Sequence, residues 1–327
     1  MLSRRVFLAG TAALAACSAR DPAAEAIRRG AAFLWSQRDG IFKSKTYGLM
    51  GTGASLTPFV ALALPDDPRL VDVLAGLDPL LDADGALGLS GPAADYPVYA
   101  TSLAISAWRR VKPPGWETRV QKASAWLSAQ QFREGWEGHP AHGGFPMGSK
   151  LRPTPPNPGH VDLSMTRRAI EALADDPAVR GPARAFVERC RAAGGGFVYS
   201  PVETALNKGP AGYGSASCDG ALALLALGET PDIAYLRAIH RVDENPGLRG
   251  GPMEGFAPAM KGYYRAASAE VFARLGGPDG WRPALVDAVL AEQRDDGSWA
   301  NPSDLQKEDD PLLATSFALM ALRAAMA

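Results

Sequence analysis

The chain has 327 residues, and its 34 lysines and arginines nearly balance its 35 aspartates and glutamates. A formal net charge of −1 and an aromatic content of 8% provide neither a basic surface for a nucleic-acid backbone nor an acidic tail, which argues against DNA or RNA as partners. Three cysteines are too few for a disulfide framework.

At the N-terminus, Ser3-Arg4-Arg5-Val6-Phe7-Leu8 is a twin-arginine pattern leading into an apolar stretch that ends at Ala16. The stretch is too short to cross a bilayer, which takes ~20 residues. Leu14-Ala15-Ala16-Cys17 resembles a bacterial lipobox, whose cysteine is acylated and becomes the first residue. The alternative is a plain signal peptide with a chance cysteine. The expected organisation is a signal peptide over 1–16, a lipidated tether over 17–25 and one folded domain over 26–327. Such a protein is exported, periplasmic and held to a membrane surface by lipidated Cys17. Cys190 and Cys218 are then the remaining thiols, and one bridge between them stays open.

Along the rest of the chain an amphipathic helix, a Gly-rich turn and a small-residue helix recur six times, with a period of roughly fifty residues. The first helix of each unit falls around 31–37, 70–81, 123–130, 183–190, 233–239 and 285–293, and carries more charge. The second is anchored at Thr57, Thr101, Thr166, Gly220, Ser268 and Thr315, and its small residues allow close packing. The pattern predicts an all-α (α/α)6 toroid, a double ring of six inner and six outer helices. A Pro- and Gly-rich excursion over 138–159 is expected to cover one mouth of the ring.

The segment from Gln293 to Trp299 fits Q-x3-G-x-W and resembles the QW signature of triterpene cyclases. Weaker copies are Gln37 with Gly40 and Phe42, and Gln131 with Gly135 and Trp136. Four further segments follow in order: Gly195-Gly196-Phe197-Val198-Tyr199-Ser200-Pro201, Tyr213-Gly214-Ser215-Ala216-Ser217, Asp243-Glu244-Asn245-Pro246-Gly247 and Asp309-Asp310-Pro311-Leu312-Leu313-Ala314-Thr315. With them the chain resembles the bacterial prenyltransferase/squalene oxidase repeat proteins over roughly residues 26–325. That resemblance implies a terpenoid cyclase-like toroid around a cavity for a long apolar, isoprenoid-like ligand. Three departures bear on activity. Asp82-Ala83-Asp84-Gly85 lacks the D-x-D-D acid of the cyclases. The zinc ligands of protein prenyltransferases fall on Ala211, Tyr213 and Ala314, so no metal or other cofactor is expected. Arg265 closes Gly262-Tyr263-Tyr264-Arg265 where relatives tend to carry histidine.

Several residues are candidates for chemistry. His139, His142 and His160 crowd the third repeat's loop, as metal ligands or as exposed polar residues. Asp162 opens an inner helix, as a cap or as a catalytic acid. Asp309 and Asp310 precede Pro311 and are either a proton-sharing pair or caps. Asp243 and Glu244, on the same face as the other helix openings, read as a simple turn or as rim acids. Tyr99, Tyr199, Tyr213, Tyr263 and Tyr264 are either a lining for cationic intermediates or ordinary packing. Three functions fit this pattern: binding or processing of the isoprenoid-like ligand, a non-catalytic toroid for a periplasmic protein partner, and a carbohydrate-active enzyme using paired acids.

Overall fold

The computed structural model describes residues 21–90, 93–202, 211–248 and 253–327. The twin-arginine segment, Cys17 and most of the expected tether lie outside the described residues. Thirteen helices are described, and no helix among the described residues is long and apolar enough to cross a membrane. The outer ring is α1 (Pro22–Ser36), α3 (Leu70–Ala75), α5 (Trp116–Gln130), α7 (Pro177–Arg189), α9 (Ala234–Ile239) and α12 (Trp281–Leu290). The inner ring is α2 (Leu56–Ala63), α4 (Pro97–Val111), α6 (Leu163–Ala172), α8 (Gly214–Ala226), α11 (Lys261–Leu275) and α13 (Pro311–Met326). A single turn, α10 (Phe256–Ala259), leads into α11. Each inner helix packs on the next, and α13 packs back on α2, while α1 lies against α12 and α13. The circle is therefore closed, as the repeat pattern predicts.

Two boundaries differ from expectation. Asp21 caps α1, and Ala23 and Ala26 are buried, so part of the stretch expected as tether is the first turn of the fold. The outer segment 70–81 is helical only to Ala75 and ends in a 3-10 turn at Asp78–Leu80.

One hydrogen bond defines the repeat. The backbone N–H at the end of each Gly-rich turn donates to a hydroxyl on the following inner helix: Phe42 to Thr57 (3.1 Å), Leu87 to Thr101 (2.9 Å), Phe145 to Thr166 (3.1 Å), Phe197 to Ser217 (2.9 Å) and Trp299 to Thr315 (3.1 Å). In the fifth repeat Arg265 takes that place and donates Nε to the Val242 carbonyl at 2.6 Å. The anchors at Gly220 and Ser268 therefore shift to Ser217 and Arg265. Gly220 has a different purpose: a Cβ there would stand 2.5 Å from the Phe197 ring.

Glutamines join the outer helices. Gln293 Nε2 donates to Gly297 O and to Ala26 O of α1, each at 3.0 Å, which ties the last repeat to the first. Gln131 repeats this with Gly143 O (3.0 Å) and Val179 O of α7 (3.1 Å). The aromatic that completes this third copy is Phe145, not Trp136. Phe132 N bonds Gly144 O at 3.0 Å, so residues 133–142 form a side excursion, and Trp136 packs on Phe132 within it.

At the opposite end of the ring, arginines bond the carbonyls that inner helices leave open. Arg110 and Arg323 serve α2, Arg109 serves α6, Arg180 serves α8, Arg237 serves α11 and Arg282 serves α13.

Candidate functional site

Counting from the pinning residues Thr57, Thr101, Thr166, Ser217, Arg265 and Thr315 puts the interior in register. Two residues before each pin come Ser55, Tyr99, Ser164, Ser215, Tyr263 and Leu313, and all of them line one cavity of about 250 Å³ at the N-terminal ends of the inner helices. Five residues after come Leu62, Ser106, Glu171, Leu222, Glu270 and Met320, and all but Leu222 line a second chamber of about 580 Å³ towards the C-terminal ends. Steps of four and three residues keep one helical face turned inward. Between the layers, Phe317 makes edge contacts with Phe59 and Tyr263 at centroid distances of 5.1 and 5.6 Å. Tyr263 and Phe317 belong to both walls, so an aromatic waist divides the hollow in two.

The upper pocket is walled by Met50, Leu56, Phe59, Met165, Met260, Phe317 and a set of tyrosines. Its polar groups are few and fixed. Asp162 is buried, and its Oδ1 accepts the Met165 N–H at 2.8 Å as the cap of α6. Its Oδ2 lies 2.8 Å from His160 Nε2 and accepts the Tyr199 hydroxyl at 3.0 Å, so this carboxylate caps a helix and also faces the pocket. Glu308 is the second acid. Its oxygens accept the N–H groups of Gly262 (2.9 Å) and Tyr263 (2.8 Å) at the start of α11, and Asn301 Nδ2 at 3.2 Å. Burial pushes the Glu308 carboxyl up to about 7, against those donors, which favour the anion.

At the mouth, Lys307 Nζ is 3.3 Å from the Tyr96 hydroxyl. Both residues have left-handed backbone, with φ of 62° and 42°, a conformation that costs non-glycine residues about 1–3 kcal/mol and recurs at functional sites.

The other expected residues are distributed as follows. Asp310 caps α13 through Leu312 N at 2.9 Å and accepts the Ser44 hydroxyl, while Asp309 accepts the Tyr47 hydroxyl. That bond to Asp309 is the main reason the Tyr47 phenol is raised to about 12. The two aspartates thus tie the sixth repeat to the first, and neither lines either chamber. Asp243 is exposed and Glu244 half-buried, both away from the chambers, whereas their buried neighbour Asn245 holds Ser215 through N–H and hydroxyl bonds of 2.8 Å each. Tyr264 is in the core, bonded to His240 Nδ1 at 2.8 Å. Arg265 points outward to Glu292 at 2.9 and 3.1 Å. Tyr99, Tyr199, Tyr213 and Tyr263 do line the upper pocket.

His139 accepts the Ala141 N–H within the third repeat's loop, and His142 sits beside it, whereas His160 joins Asp162. Among the described residues no three His, Cys, Asp or Glu side chains gather as metal ligands. The 138–159 loop gives no residue to either wall. Its Met147 carbonyl accepts the Val98 N–H at the start of α4, at 3.0 Å. Cys190 and Cys218 are buried free thiols, and burial raises both.

Below the waist lies a charge cluster absent from the sequence expectations. Arg167, 1% exposed, bonds Glu171 (2.7 Å), Asp219 (3.1 Å) and Glu270 (3.0 Å) on three successive inner helices. Arg168 shares Glu171 at 3.0 Å. Tyr263 donates its hydroxyl to Asp219 at 2.6 Å and lies 2.8 Å from Ser164 Oγ, so the waist bonds to both chambers. Burial raises Asp219 to about 6 despite Arg167 and Tyr263. Charges inside otherwise small-residue helices were the available signal for these residues. For Glu308 it was its place next to Asp309 and Asp310.

No family model and no curated protein matches the chain. Solved structures do match its shape. The type II terpene cyclase MstE from Scytonema, in complex with its substrate geranylgeranyl dihydroxybenzoate, aligns with a TM-score of 0.60 and 14% identity over 93% of this chain and 97% of that one. An unsaturated glucuronyl hydrolase specific for heparin aligns at 0.58 with 10% identity, covering 93% and 95%. A glycosidase aligns at 0.55 with 13% identity, covering 93% and 97%. At such identities the likeness is one of fold. The chain is an (α/α)6 toroid of the architecture that terpene cyclases and carbohydrate-active hydrolases share.

Proposed function

We propose that the upper pocket binds the oxygenated end of an isoprenoid-like ligand and exchanges a proton with it through Glu308. The observation that carries this reading is a pocket walled by Met50, Leu56, Phe59, Met165, Met260, Phe317 and four inward tyrosines, in which Glu308 is held by fixed donors and raised to about 7 by burial. MstE, of the same fold, takes a geranylgeranyl compound as substrate, which supports the ligand class. At about 250 Å³ the pocket falls below the roughly 300–1,000 Å³ of drug-sized sites. It therefore holds the end of a chain, and the remainder leaves past the Tyr96 and Lys307 side chains. An acid titrating near 7 is too weak to protonate an alkene and well suited to an alcohol or ester oxygen.

Native mass spectrometry of the purified chain, with lipid extraction, tests the reading. Co-purified isoprenoid, or a thermal shift with geranylgeraniol that Ser215→Trp abolishes, is the expected result. No adduct and no shift would overturn it.

A second reading rests on the two carboxylates, Asp162 and Glu308, in one tyrosine-walled pocket, an arrangement glycosidases use, and on the hydrolases of the same fold. Sugar release from an oligosaccharide, lost in both Asp162→Asn and Glu308→Gln, would favour it over the lipid.

We also propose that the protein is exported and tethered through acylated Cys17, on the strength of the twin-arginine and lipobox patterns. Palmitate labelling that survives Cys17→Ser would contradict this.

A further inference from the structure

The lower chamber is not used by the upper-pocket reading. The arginines that satisfy inner-helix carbonyls include Arg109, Arg180, Arg237 and Arg282. Among the described residues, Arg167, Arg168 and Arg274 bond only carboxylates. Burying such a cluster costs several kcal/mol per ion before its pairings compensate. The equivalent layer on the opposite side of the ring closes with Leu62, Ser106 and Met320 instead. The chamber is consequently two-faced. One half, from α6 and α11, is charged, and the other, from α2 and α13, is lined by Leu62, Phe317 and Met320.

Within the charged half the pairing is uneven. Arg167, Arg168 and Arg274 face Glu171 and Glu270, with Asp219 behind them, while Arg323, on α13, bonds the α2 carbonyls. Arg167 is saturated by three carboxylates, whereas Arg168, 15% exposed at its side chain, has only Glu171, and its buried Nε has no acceptor. Glu171 holds the Arg168 guanidinium in place, so a fork suited to a carboxylate is already ordered. Arg274, 53% exposed, adds a cation near the solvent. The volume of about 580 Å³ suits a ligand with a body as well as a head.

We propose that the lower chamber is a second binding site, for an amphiphilic organic carboxylate whose head pairs with Arg168 and Arg274 and whose apolar body lies against Leu62, Phe317 and Met320. The site shares the partition of Tyr263 and Phe317 with the upper pocket but does not rest on the ligand proposed there.

Isothermal titration of the full chain with octanoate, 1-octanol and acetate tests it. Octanoate binds at one site, and the other two, which lack the head or the body, bind at least about tenfold more weakly. Arg168→Gln, and Met320→Trp, which fills the apolar half, each weaken octanoate by a similar factor, while Tyr99→Trp, which crowds the upper pocket, leaves it unchanged. Should Arg168→Gln fail to fold, Arg274→Gln and Met320→Trp decide. Absence of octanoate binding, equal binding of 1-octanol, or loss through Tyr99→Trp in place of Met320→Trp overturns the proposal.

Discussion

Replacing Glu308 by glutamine tests the electrostatics of the upper pocket. The carboxyl is lifted from an ordinary 4.5 to about 7 because it is buried. The folded state thus holds this proton more tightly than the unfolded chain, and unfolding releases it throughout the window between those values. The stabilising contribution is complete below about 4.5 and is lost as the pH rises through about 7. Two and a half units at 1.36 kcal/mol each give about 3 kcal/mol, or roughly 6 °C in Tm for a domain of this size. Asp219 acts in the same direction, while Glu171 and Glu292, which their arginine partners hold low against burial, act in the opposite one. These groups are common to both proteins, so the difference between wild type and Glu308→Gln isolates Glu308. Glutamine also loses one of the two acceptors for the Gly262 and Tyr263 amides, a pH-independent offset of about 1–3 kcal/mol. Urea melts of both proteins from about pH 4 to about pH 9 measure the difference directly. The wild type's advantage shrinks by about 3 kcal/mol between about pH 4.5 and 7 and is flat above. Parallel curves at every pH would refute the assignment.

Phe317→Ala removes the ring shared by both walls and costs about 3 kcal/mol. It joins the two chambers, and a ligand that stops at the waist in wild type penetrates further in a crystal of the variant; an intact partition contradicts the waist. Thr166→Val leaves the Phe145 N–H without its acceptor and lowers stability by about 1–3 kcal/mol in equilibrium melts. The same change at Thr118, exposed on α5 and outside the pin series, costs less; equal losses would deny the pin a special role. Cys190 and Cys218, buried and raised, stay inert to a thiol reagent until denaturant is added. Fast labelling of the native chain contradicts their burial.

The double ring was readable because four of its six pins are threonines opening small-residue helices: Thr57, Thr101, Thr166 and Thr315. Ser217 and Arg265 were hidden because different side chains make the equivalent bond there. Trp136 drew the third copy of the glutamine motif to itself by its spacing from Gln131, whereas an excursion pairs Gln131 with Phe145's turn. The site was legible in part. Tyr99, Tyr199, Tyr213, Tyr263 and Asp162 follow from their places near helix openings, since that end of the ring is where the inner helices converge on the pocket. Asp309 and Asp310 were more conspicuous than Glu308, yet hydroxyls and a helix end occupy both aspartates. Pairings between repeats set burial in such cases, and local spacing does not reveal them. The Arg167 cluster has the same origin, its partners lying on three different helices.

The most direct test of the central claim is a crystal structure of the chain with geranylgeraniol. The polar end is expected within the ring formed by Ser55, Tyr99, Ser164, Ser215, Tyr263 and Leu313, facing Glu308, with the chain leaving past Tyr96 and Lys307. Density running through Phe317 into the lower chamber, or an empty upper pocket at saturating ligand, would contradict it.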